Sequence, residues 1–186
     1  MAGEWMRRII VIGSSCAGKT TLARRIAGAL DAPHVELDAL HWGPNWTERP
    51  MDELGEAVLA RIVGSAWVVD GNYSKVRDAV WPRATDAVWL NYPFPLVLGR
   101  SLKRTIARAF TGEELFDGCR ESFRIAFFSR DSIIWWVITS FRRRRREYEE
   151  LFRTGGFPNV RLTELRHPRD ADALVRRLEE TGGRSE

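Results

Sequence analysis

The chain has 186 residues, 44% of them hydrophobic, with a net charge of +4 and a pI near 9.5. That length and apolar content exclude a disordered chain and suit one domain around one core, while the basic balance fits any polyanionic partner, ATP and nucleic acid alike. Residues 1–8 lack an apolar h-region and the longest apolar run, 133–138, is far short of a bilayer span. The two cysteines, Cys16 and Cys119, show no metal-type spacing, so a cytoplasmic protein with reduced thiols, no zinc and no membrane partner is expected.

In chain order, residues 8–12 form a β-branched run ending at Gly13, and residues 20–30 show helical spacing of Leu22, Ile26 and Leu30. A second strand is expected over 35–37, ending at Asp38, then a Pro- and Gly-containing loop over 42–50 and a helix over 52–64. Residues 66–69 read as a buried strand closed by Asp70 and Gly71, and 87–90 as another. A helix from Pro95 to about residue 110 should bury Leu102, Ile106 and Phe110, with Arg100, Arg104 and Arg108 about half a turn away. Residues 111–130 break the periodicity and read as an inserted lid. A long helix over 132–153, a strand over 160–162 and a helix over 170–180 complete the chain. Strands alternating with helices predict a parallel sheet covered on both faces, with its ligand beyond the carboxyl ends of the strands.

Gly13-Ser14-Ser15-Cys16-Ala17-Gly18-Lys19-Thr20 fits G-x-x-x-x-G-K-[ST], between a strand and a helix as that pattern requires. The two glycines let the backbone aim N–H groups at phosphate oxygens, and the helix adds its positive end. Lys19 supplies a point charge to the β- and γ-phosphates, and the Thr20 hydroxyl a ligand to Mg²⁺; the expected cofactors are therefore ATP and Mg²⁺, held by residues 13–20 with Thr21. Asp70 reads either as the acid that a buried strand delivers to Mg²⁺ or as half of an Asp-Gly turn. Asp38, at the end of the second strand, reads as a carboxylate that orients or deprotonates an acceptor hydroxyl or holds Mg²⁺ through water, or as a plain cap, with His41 and Trp42 as acceptor contacts behind it.

Phosphoryl transfer spreads negative charge over the migrating group, which arginines neutralise. Arg104 is taken from the Arg100, Arg104, Arg108 face and Arg142 from the run 142–146, of which at most two members can face one site. Trp67, Trp89, Trp135 and Trp136 are assigned to the core, Trp42 and Trp46 to stacking on a flat acceptor.

Leu37-Asp38-Ala39-Leu40-His41-Trp42, Trp67-Val68-Val69-Asp70-Gly71-Asn72-Tyr73-Ser74, Leu90-Asn91-Tyr92-Pro93 and the aromatic, then arginine-rich helix resemble, with the phosphate loop, the P-loop kinases related to adenylate kinase known as FlaR-like DNA topology modulation proteins. The resemblance spans nearly the whole chain. It implies a three-layer α/β P-loop NTPase fold of the nucleoside monophosphate kinase type, with a five-stranded parallel sheet and a short, zinc-free helical lid at about 110–131 within a single domain, 1–186. Adenylate kinases carry Asp-Gly-Phe-Pro-Arg where this chain has Asp70-Gly71-Asn72-Tyr73. Pro and Arg are missing here, so Gly71, Asn72 and Tyr73 become the acceptor candidates. The expectation is an ATP-dependent phosphotransferase acting on a nucleotide or another small molecule. The alternative is an ATP-binding regulator of DNA topology, since a basic chain leaves nucleic acid open as a partner.

Overall fold

The computed structural model describes residues 7–43, 47–111, 133–154 and 157–182; the expected lid beyond residue 111, Trp46 and the last four residues lie outside them. Strands β1 (Arg8–Gly13), β2 (His34–Glu36), β5 (Trp67–Asp70), β6 (Asp86–Leu90) and β7 (Arg161–Leu165) form one sheet in the order β2-β5-β1-β6-β7. Every pairing in it is parallel, with Ile10 opposite Val69 on one side of β1 and Ala87 on the other. Strands β1, β5 and β6 are buried nearly end to end, as central strands covered on both faces must be.

Alternate β1 residues feed two cores. Ile9 and Val11 face α1 (Lys19–Leu30), α5 (Phe94–Thr111) and α7 (Pro168–Gly182), through Leu22, Ile26, Val97 and Val175. Ile10 and Ile12 face α3 (Met51–Leu59) and α4 (Ser74–Val80), through Leu54, Val58, Val76 and Val80. The long helix α6 (Ile133–Arg153) belongs to both: Val137 and Phe141 pack in the first core and Tyr148 in the second, so α6 changes face between Phe141 and Tyr148.

Several expectations are corrected. Strand β2 stops at Glu36, and Asp38 sits in a five-residue helix, α2 (Leu37–His41); the strand-tip acid is therefore Glu36. The presumed loop after Trp42 contains an antiparallel pair, β3 (Trp42–Gly43) with β4 (Thr47–Glu48). Helix α4 and the 3₁₀ turn Trp81–Arg83 were not anticipated. On α5 the buried face is Val97, Ser101 and Thr105, one residue round from the expected stripe, which leaves Leu102 and Ile106 exposed. Trp135 and Trp136 are about half exposed, because Val137 and Phe141 take the inward positions of α6; Trp67 and Trp89 are buried.

Candidate functional site

The carboxyl ends of β1, β5 and β2 lie side by side, and the loops leaving them form the site. Strand β1 ends at Gly13, where a Cβ would meet Leu90 at 2.9 Å, so the chain turns where no side chain fits. Cys16 (φ 63°) and Gly18 (φ 99°) are left-handed and curl the loop into α1. Gly18 caps α1 without a side-chain hydrogen bond, so no side chain competes for the first amides, the donors an anion needs there. Lys19 folds back over the loop and donates to the Ser14 carbonyl at 3.4 Å. Ser15 and Thr21 stand on the same loop and first turn, Thr21 exposed.

Thr20 and Asp70 meet directly: the Thr20 hydroxyl donates to Asp70 Oδ2 at 2.7 Å and lies 3.4 Å from Glu36 Oε1. Asp70 is 2% exposed, and its other oxygen lies 2.8 Å from His34 Nε2; a carboxylate only accepts, so the ring nitrogen is the donor. Glu36 in turn holds Arg24 at 3.1 Å. One hydroxyl and buried carboxylate oxygens are the hard donor set that suits Mg²⁺, which keeps water and phosphate oxygens in its remaining positions. His34 and Glu36 were not singled out from the sequence. Parallel register pairs Glu36 with Asp70, and His34 lies on the same side of its strand two residues earlier.

The segment after Asp70 ties the site together. A Cβ on Gly71 (φ 144°) would stand 2.7 Å from Leu37 Cβ, so the segment presses against the start of α2. Asn72 clasps the phosphate loop: its Nδ2 donates to the Gly13 carbonyl at 2.6 Å, and its Oδ1 accepts from Gly13 N at 3.4 Å and from the Tyr148 hydroxyl at 2.7 Å. Burial pushes the Tyr148 phenol up, keeping it a neutral donor. Tyr73 donates to Asp38 Oδ1 at 2.8 Å. Its phenol is also pushed up, first by burial and then by the negative charge and hydrogen bond of Asp38, against which a hydrogen bond with Trp42 acts in the lowering direction. His41 is 3% exposed, its ring 4.7 Å from that of Trp42 and 4.8 Å from that of Tyr73, and its Nδ1 is buried without a partner. Asp38, His41, Trp42 and Tyr73 thus form one wall, although the expected strand-tip placement of Asp38 does not hold.

The arginines divide. Arg100 reaches the loop itself, donating to the Ala17 carbonyl at 2.5 Å with its guanidinium 5.2 Å from the Tyr92 ring centre. Arg104, one turn on, is half-buried with Nε lacking a partner. Arg142 is exposed on α6. Arg144 is the member of the run that turns inward, donating to the Asn72 carbonyl at 3.3 Å and lying 3.4 Å from Glu147, which also binds Arg77 at 2.5 Å. The remaining run members point elsewhere because successive helical residues are about 100° apart.

No protein-family model and no curated protein matches the chain. Similar solved structures include an unliganded sugar kinase from Janibacter sp. HTCC2649, at 19% identity and TM-score 0.52 over 95% of this chain and 92% of that one. A gluconokinase from Sinorhizobium meliloti 1021 matches at 19% identity and TM-score 0.50, over 96% and 97%. A shikimate kinase from Bacteroides thetaiotaomicron matches at 16% and 0.53, over 95% and 98%. Together with the five-stranded parallel sheet, these give the chain the α/β fold of P-loop kinases. Among the described residues no helix is long and apolar enough to cross a membrane.

Proposed function

We propose that the chain is an ATP- and Mg²⁺-dependent small kinase that transfers a phosphoryl group to a small-molecule acceptor. One observation carries the reading: the phosphate loop after β1, the Thr20–Asp70 pair at the end of β5, and Asp38, held by Tyr73 in the helix that follows β2, all come from segments at the carboxyl ends of adjacent strands. The fold is shared with proteins named as sugar, gluconate and shikimate kinases.

In this reading residues 13–20 and Thr21 bind the phosphates through backbone N–H groups, and Lys19 neutralises the charge that develops on them. Thr20 and Asp70 hold Mg²⁺, which supplies charge neutralisation to the phosphates when bound. Asp38 takes the acceptor's proton, with His41, Trp42, Gly71, Asn72 and Tyr73 shaping the acceptor side. Arg104 is assigned to the transferring phosphoryl group, and Arg100 and Arg144 join it as nearer candidates than Arg142. The chain is read as one unit, 1–186, with residues 110–131 as its lid. The adenylate kinase-like character of the kinase and the likeness to topology modulation proteins belong to this proposal too, without AMP as the implied acceptor, since Pro and Arg are missing after Asp70-Gly71.

A second reading, an ATP-binding regulator that acts on DNA, is favoured by one feature: α6 exposes Arg142, Arg143, Arg145 and Arg146 beside half-exposed Trp135 and Trp136. Lys19→Ala tests the first reading. The variant should keep the parent's unfolding transition and lose ATP turnover; a folded variant that turns over ATP at the parent rate sinks the mechanism. Salt-dependent DNA binding without ATP consumption would favour the second reading.

A further inference from the structure

We infer that the acceptor is an uncharged hydroxyl compound, a sugar, polyol or nucleoside, and that the site discriminates against its phosphorylated or carboxylated counterparts. The inference rests on the kinase reading and narrows it.

The acceptor wall is built from α2, the β3–β4 pair and residues 71–73, and its carboxylates are Asp38 and Glu48. Asp38 binds the Tyr73 hydroxyl, and the negative charges of Asp38 and Glu48 both act on that phenol. Glu36 stands two residues before Asp38, at the tip of β2.

Three of the cations nearby, Arg24, Arg77 and Arg144, already sit on carboxylates of this chain. Arg24 is paired with Glu36 and Arg77 and Arg144 share Glu147, while Arg49, an exposed side chain just past β4, spends only its Nε among the described residues, on the Leu40 carbonyl at 2.7 Å. Recognition of a phosphate or carboxylate on the acceptor calls for a free guanidinium fork, or a charge that outweighs the site's own. The carboxylates of Asp38 and Glu48 are the charges that act on Tyr73 in this wall, so an acceptor anion placed against it meets repulsion where a neutral group does not.

What the wall offers matches a hydroxyl-bearing ring. Trp42 and Tyr73, both partly exposed, supply aromatic faces and pack on the buried His41 ring between them. His41 Nδ1 is a buried polar atom without a partner, and a hydroxyl satisfies such a group whichever tautomer it carries. Asp38 has lone pairs left after accepting from Tyr73. The reaction balances: the acceptor oxygen bonds to the γ-phosphorus, the bond from that phosphorus to the β–γ bridging oxygen breaks, and ADP leaves. The hydroxyl proton passes to Asp38 and then to solvent, giving a phosphate monoester.

The experiment uses matched pairs: nucleosides with their monophosphates, hexoses with hexose phosphates, and polyols with the corresponding acids. ADP release is followed with MgATP, and products are identified by ³¹P NMR. Neutral members should be turned over with kcat/KM at least about 100-fold above their charged partners, each giving a monoester signal. Charged members turned over equally well or better overturn the inference and leave the kinase reading standing. If no compound of either class raises ADP release above the water-only rate while MgATP still binds, the kinase reading falls and takes the inference with it.

Two variants probe the wall directly. Tyr73→Phe should raise the neutral acceptor's KM severalfold while changing kcat less. Glu48→Gln should lower the inhibition constant of the phosphorylated counterpart relative to the neutral KM. An unchanged ratio for Glu48→Gln would show that charge at this wall does not select the acceptor.

Discussion

Asn72 is the residue whose removal says most about how the site is held. Its side chain makes three hydrogen bonds, two of them at 2.6 and 2.7 Å, to both backbone groups of Gly13 and to the Tyr148 hydroxyl. At a net value of about 0.5–1.5 kcal/mol each, losing them costs about 2–3 kcal/mol. Tyr148 is 1% exposed, so a hydroxyl stranded there adds about 1 kcal/mol or more of desolvation. Asn72→Ala should therefore cost about 3 kcal/mol. Tyr148→Phe should cost about 1 kcal/mol, since it removes the donor without stranding it. In the Tyr148→Phe background, Asn72→Ala should cost about 1–2 kcal/mol less than in the parent, because the shared bond is already gone. Urea unfolding followed by tryptophan fluorescence gives the energies, and calorimetric titration should show ATP binding about tenfold weaker once Gly13 is unclasped. An Asn72→Ala protein within about 0.5 kcal/mol of the parent, with unchanged ATP affinity, would refute the clasp.

Gly71→Ala should destabilise by at least about 2 kcal/mol, since its Cβ would overlap Leu37 at 2.7 Å and φ is 144°. Gly28→Ala, on an exposed helical position with open space around it, should stabilise by up to about 1 kcal/mol; a urea midpoint that rises for Gly71→Ala or falls for Gly28→Ala contradicts that position's assignment. His34→Ala should weaken the Mg²⁺ dependence of ATP binding about tenfold, read from Mg²⁺ titrations at fixed ATP, because Asp70 loses the donor that orients it. Glu164 is held below the usual carboxylate range, first by its hydrogen bond from Arg166 and also by that from Asn91. Its contribution is present above the unfolded value of about 4.3 and fades as pH falls through the folded one. The stability gap between parent and Glu164→Gln should accordingly be open at pH 7 and closed in acid; a gap that widens in acid reverses the sign.

The phosphate loop and its flanking strand and helix were legible because that chemistry needs particular residues at particular spacings. The alternation of strands and helices was legible because buried strands and amphipathic helices have different periods. Short elements were not: a three-residue strand running into a five-residue helix has no period to read, so Asp38 was put on a strand tip that belongs to Glu36. The inward arginine of the 142–146 run depends on where α6 crosses the sheet, and its own sequence cannot say that. Asn72, His34 and Tyr148 owe their roles to partners 59, 36 and 76 residues away, a relation that exists only once the strands are in register.

Helix α6 stitches the two halves of this molecule together. The sheet separates two apolar layers that would otherwise be free to loosen one at a time, yet Phe141 is sewn into one and Tyr148 into the other along a single rigid rod. Neither layer can come apart without drawing that rod out of its neighbour. Amide protons in α1 and α3, on opposite sides of the sheet, should therefore exchange through one shared opening, with the phosphate loop released in the same event.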